Sequence, residues 1–174
     1  MNYLYKKEKK DGKSVVGVYR GDRICGYIYP ENAPSIEEKS RYVFENTHGE
    51  KASMGVMITG AKRYIMAEYL FTFKEEKYVL KEVGLQSFLA FHLKGRFGSE
   101  NIKIMQKVMS LYITCGMRPI VKFEVSAIPW ESEIEFFTGV SEESKEFFLS
   151  VLAPFMYSYY KKEENWEVYF YGGN

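Results

Sequence analysis

Residues 141–162, SEESKEFFLSVLAPFMYSYYKK, constrain this chain more than any other stretch. Ser141 is placed to cap a helix, Glu142 and Glu143 suit the positive end of a helix dipole, Ser144 falls at the third helical position, and Lys161 and Lys162 close the last turn. Between those ends Phe147, Phe148, Leu149, Val151, Leu152, Phe155, Met156, Tyr159 and Tyr160 cover far more than one stripe. A helix that is apolar all round must be enclosed by protein or by lipid. A bilayer span needs about 20 apolar residues, and this run is shorter with polar edges, so enclosure by protein is the expectation. Pro154 lies inside it and lacks the N–H that an interior turn needs, which predicts a bend over 150–154 or two shorter helices.

What encloses the helix must come from the preceding 140 residues, which read as short strands punctuated by turns. Residues 15–19 and 24–29 alternate around Arg20-Gly21-Asp22-Arg23 and predict a β-hairpin, whereas the charged run 6–13 reads as an exposed turn. Residues 41–45 and 54–59 form the next pair across Asn46-Thr47-His48-Gly49, and 64–73 and 78–83 another across Lys74-Glu75-Glu76-Lys77. Residues 86–94, 120–126, 134–138 and 166–171 are further strands, 134–138 as a short edge. Closely spaced strands of this kind suit an antiparallel sheet, sandwich or barrel. The glycines at 12, 17, 21 and 26 read as turn and strand-bulge positions and match neither GxGxxG nor a P-loop.

Residues 100–115 interrupt the pattern. Ile104, Met105, Val108, Met109, Leu111, Tyr112 and Cys115 recur at helical spacing, Ser99 offers a cap, Gly116 sits at C′ and Pro119 follows, which predicts a second helix. The rival is a pair of strands, since 111–115 is β-rich in composition. The expected fold is therefore α+β: one domain over 1–174, with an antiparallel β-rich sheet or barrel, a buried C-terminal hydrophobic helix and a second helix.

A strand entering a turn, Arg41-Tyr42-Val43-Phe44-Glu45-Asn46-Thr47-His48-Gly49-Glu50, together with Glu133-Ile134-Glu135-Phe136-Phe137 leading into 147–160, resembles the tubby C-terminal-like superfamily, which includes LURP-one-related and phospholipid scramblase-like proteins. The resemblance spans the whole chain at the level of pattern. It implies a closed β-barrel threaded by a helix and a non-enzymatic role. Membrane phosphoinositide binding is known for some members, and many small bacterial ones have no assigned role. The second helix and the strand 166–171 depart from that plan, and no headgroup-binding residue transfers to this sequence.

Composition narrows the chemistry. Aromatic residues are 17% of the chain, which favours half-buried strand surfaces and permits an aromatic-lined cavity. Lys and Arg number 24 against 23 Asp and Glu, so nothing global argues for nucleic acid. The basic runs 6–13 and 94–96 interleave with acids and read as mixed solvated surface. Cys25 and Cys115 stand 90 residues apart without CxxC partners and read as reduced, apolar residues of a cytoplasmic protein; the charged first ten residues lack the apolar core of a signal peptide. No metal-ligand spacing, cofactor motif or catalytic signature is present. His48 reads as a solvated turn residue and His92 as a sheet histidine; Cys25 pairs with either only through tertiary contact.

His92, Tyr157, Tyr160 and Trp166 are the ligand-binding candidates, as parts of an aromatic wall with one polar group. The expected function is a non-catalytic binding module for protein or lipid, with a small apolar ligand carrier or enzyme as the alternative class.

Overall fold

The computed structural model describes residues 1–32, 38–57, 67–83, 90–124, 133–137 and 139–171, with the side chains of 38–40 and 161–171 outside the description. Twelve antiparallel strands close into a barrel. They are β1 (Asn2–Lys10), β2 (Lys13–Arg20), β3 (Arg23–Glu31), β4 (Glu38–Asn46), β5 (Lys51–Met57), β6 (Glu68–Phe73), β7 (Glu76–Glu82), β8 (His92–Phe97), β9 (Glu100–Lys107), β10 (Ser110–Cys115), β11 (Arg118–Glu124) and β12 (Glu133–Phe136). Each pairs with its neighbours in sequence, and β1 pairs with β12 to seal the wall. One helix follows, α1 (Lys145–Tyr171).

Period-two alternation writes the wall. In β6 Tyr69, Phe71 and Phe73 are buried while the residues between them are half-exposed, and Leu111, Ile113 and Cys115 repeat this in β10. Alternate residues face opposite sides of a sheet, so these sets fill the barrel. Tight turns join the strands. Asp11-Gly12 has φ values of 51° and 77°, as a type I′ hairpin requires, and Gly21, Gly98 and Gly116 stand at about 60° in the turns after β2, β8 and β10.

The helix fills the interior. Every residue from 147 to 158 is buried. Aromatic rings close on it from well-separated strands: Tyr3 of β1 and Phe136 of β12 lie 5.2 and 5.4 Å from Phe147, Phe44 of β4 and Phe73 of β6 lie 5.1 and 4.8 Å from Phe148, and Phe91 lies 5.6 Å from Tyr157. Each fully buried side chain of this size contributes about 1.5–3 kcal/mol, so the wall and the helix stabilise one another.

Several expectations need correction. Residues 100–115 are the hairpin β9–β10, with Ile113 opposite Ile104, so there is no second helix there, and among the described residues α1 is the one helix. Residues 6–10 belong to β1, not to a turn. Residues 134–136 are not an edge, because β12 pairs on both sides. Residues 166–171 continue α1 instead of forming a strand; with β1 joined to β12, the wall offers no free edge for a thirteenth. The parts of the expected strands over 58–59, 64–66, 86–89, 125–126 and 138 lie outside the described residues.

The helix begins later than the sequence suggests. Ser144 is the cap, its Oγ accepting the Phe147 N–H at 3.2 Å, while Ser141 accepts the Glu143 N–H at 3.3 Å in the turn before it. Pro154 sits inside one continuous helix, which overturns the expectation of two. Nearby, the buried Tyr5 hydroxyl of β1 donates to the Val151 carbonyl at 2.7 Å. Ser150 Oγ bonds back to the Glu146 carbonyl at 2.7 Å, the local geometry that tends to bend a helix.

Candidate functional site

At the barrel end that receives the helix N-terminus, the ends of β1, β2, β3 and β4 frame a polar cleft of about 360 Å³ lined by Arg20, Arg23, Cys25, His48, Glu142 and Glu143, among others. Glu142 organises it. A single carboxylate oxygen accepts from the Tyr3 hydroxyl at 2.9 Å, Arg23 Nη2 at 2.5 Å and Arg20 Nη1 at 3.4 Å. The segment leading into α1 is thereby latched to three strands. Burial alone would raise the Glu142 pKa, but the hydrogen bonds from Arg23 and Tyr3 and the arginine charges more than reverse it and hold the carboxyl below its ordinary range.

A group whose folded pKa lies below its unfolded one stabilises the fold above the ordinary carboxyl range, and that contribution is lost as pH falls through the folded value. The two arginines are 43% and 55% exposed, so solvent screening holds the effect to about 1 kcal/mol. Glu142→Gln is therefore expected to melt about 2–4 °C below wild type at neutral pH, with the gap closing on acidification. Melting curves across a pH series check this; a constant gap would remove the latch.

The fold brings Cys25 and His48 to the same cleft, which the sequence does not show. They do not make a nucleophile pair. Burial, and then the Glu142 charge, push the Cys25 thiol up and hold it protonated, the reverse of what thiolate chemistry needs. His48 sits exposed in the turn after β4, as expected, where the Asn46 side-chain oxygen accepts its backbone N–H at 3.0 Å and that of Glu50 at 2.9 Å.

A second cluster joins Glu100, Cys115 and Glu146, whose ligand-type atoms lie within 4.8 Å of one another. Cys115 Sγ donates to Glu100 Oε2 at 2.7 Å, and burial together with that bond pushes the thiol up to about 11. The trio is thus arranged as a hydrogen-bonded thiol beside two carboxylates.

Of the four ligand-binding candidates, His92 stands apart from Tyr157 and Tyr160. Tyr157 and Tyr160 lie together with Phe91, which is 5.6 and 5.0 Å from them. His92 instead alternates with buried Leu93 and Phe97 and faces outward, half-buried, opposite Met105. Burial, and then Lys94 and Lys103, push its imidazole down, so it is neutral at physiological pH. Trp166 lies in α1 with its side chain outside the description.

Near His92, register produces an arrangement that the sequence conceals. Glu68, Lys81, Lys94 and Lys103 stand directly opposite one another on β6, β7, β8 and β9, forming one row across the outer wall. Glu68 and Lys81 are bridged at 2.7 Å. These residues are 13, 13 and 9 positions apart, so no spacing in the chain announces them; only the pairing does.

No family model, no curated protein and no solved structure matches the chain.

Proposed function

We propose that this chain is a non-catalytic, cytoplasmic binding module that acts through its outer surface on protein or lipid, and that its helix-in-barrel plan is that of the tubby C-terminal-like superfamily. The observation that carries the reading is the filled interior: α1 occupies the space in which a barrel of this size would hold an apolar ligand, with Phe148, Leu149, Val151 and Leu152 all at 0% exposure. The separation of His92 from Tyr157 and Tyr160 removes the polar group that an aromatic cavity needs for orientation and weighs against the ligand-carrier alternative. Both thiols are held protonated: at Cys25 burial and the Glu142 charge outweigh the neighbouring arginines, and at Cys115 burial and the bond to Glu100 do so. Among the described residues no helix is long and apolar enough to cross a membrane.

Native mass spectrometry of the protein purified from cells, followed by lipid extraction, tests this. The expected result is the bare chain mass. A stoichiometric small-molecule or lipid adduct that survives desolvation would place a ligand inside the barrel and overturn the filled-core reading.

A further inference from the structure

Lys81, Lys94 and Lys103 stand abreast on three neighbouring strands, and like charges directly opposite one another across a sheet are destabilising. The first is neutralised by Glu68 from the next strand in the same row. For the other two, among the described residues, no carboxylate lies within ion-pair distance. The row thus starts with its own counterion and continues as two adjacent cations with none among the described residues. Thr114, half-exposed opposite Lys103 on β10, extends it with a hydroxyl.

Building on the binding-module reading, we propose that this row docks an acidic extended segment of a protein partner, which places carboxylates over Lys94 and Lys103 as Glu68 does over Lys81.

The geometry favours a polypeptide. Strands lie about 4.8 Å apart and a closed twelve-strand wall has a radius of about 12 Å, so lysines reaching roughly 6 Å outward fan to about 7 Å between ammonium groups. Same-side residues of an extended chain repeat at about 6.7 Å. Charge favours it as well. A membrane responds to the summed charge of the face it meets, at about 1 kcal/mol per basic residue, and Glu68 in the same row offsets part of that sum. A peptide meets the individual positions and makes charge-assisted hydrogen bonds with each.

A synthetic peptide alternating Glu and Thr, titrated into the isotope-labelled protein and followed by amide chemical shifts, is the probe. Shifts are expected to cluster on β7, β8 and β9, and to be absent with the matching Gln and Thr peptide. The double variant Lys94→Glu with Lys103→Glu is expected to weaken binding at least about tenfold. Lys94→Glu alone alternates the signs along the row and is expected to keep or raise Tm by about 1–2 °C, which separates lost binding from lost folding. Lys94→Gln with Lys103→Gln serves if the charge reversal fails to fold.

Shifts that spread evenly over the surface, or that persist in the charge-reversed variant, would overturn the proposal. So would a silent peptide titration accompanied by co-sedimentation with phosphatidylserine vesicles that the same variant abolishes, which would make the occupant a membrane and leave the binding-module reading intact. That reading fails by a different observation, an interior ligand in the native mass spectrum.

Discussion

Phe148→Asp is expected to leave the chain unfolded. Phe148 is fully enclosed, with Phe44 and Phe73 of the wall at 5.1 and 4.8 Å. Truncating a core phenylalanine costs about 3–5 kcal/mol through lost transfer energy and the cavity left behind. A carboxylate in that place adds several more, because among these rings there is no donor to replace water. Against a total stability of about 5–15 kcal/mol the sum removes most or all of the fold. Leu152→Asp, one helical turn further on and equally enclosed, is expected to do the same. Far-ultraviolet circular dichroism and soluble yield read the outcome. Phe148→Leu, which keeps an apolar side chain, should fold with a loss of about 1.5 kcal/mol. A native spectrum and ordinary melting for either aspartate variant would mean that the helix is not enclosed.

The enclosed helix is also the part of the fold most legible in the sequence, because an apolar run without a polar face has few places to go. The wall was legible at three of its turns, Gly21-Asp22, His48-Gly49 and Lys74-Glu75, which all fall between paired strands, whereas Asp11-Gly12 was hidden in the charged run 6–13 that also carries the end of β1. It was illegible at β9–β10 for a definite reason. The turn there is Val108-Met109, with Val108 at φ 54°, where glycine serves in the turns after β2, β8 and β10. A β-branched residue in the left-handed region is uncommon and gives no turn signal. With the turn silent, Ile104, Val108, Leu111 and Cys115 mimic a helical face, although the buried set Ile102, Ile104, Leu111, Ile113 and Cys115 has a period of two on each side of it.

The error at 166–171 has another origin. WEVYFY is β-rich by composition, but a strand needs an unpaired edge, and closure of β1 on β12 is a property of the whole sheet that no local window contains. The same holds for the candidate sites. The Glu142 latch joins residues more than 110 positions apart, and the lysine row exists only once register is set.

Register also sets where the wall tolerates a side chain, and Gly26→Ala is expected to show it with a loss of about 2–3 kcal/mol, or about 5–10 °C in Tm. Gly26 is buried on β3 beside a bulge, where Val18 pairs with Gly26 but Tyr19 with Ile24, leaving Cys25 as the extra residue. A Cβ added at 26 would stand 2.3 Å from the Glu45 carbonyl oxygen, 2.6 Å from Phe44 Cε2 and 2.8 Å from the Asn46 Cα. Two of those atoms are backbone of the neighbouring strand, so relief requires β3 and β4 to part. That separation runs directly into the cleft, because the Thr47 N–H bonds the Cys25 carbonyl at 3.1 Å across the same pair. Gly17 looks worse by distance alone, with Glu8 Oε1 at 1.9 Å from its added Cβ, yet that atom is the far end of a flexible side chain that swings into solvent. Gly17→Ala is therefore expected to cost less than Gly26→Ala despite the shorter contact. Gly139→Ala, which meets nothing within 4 Å, is the neutral control. Chemical denaturation of the three variants orders them, and a Gly26→Ala protein as stable as Gly139→Ala would show that β3 and β4 do not pair in this register.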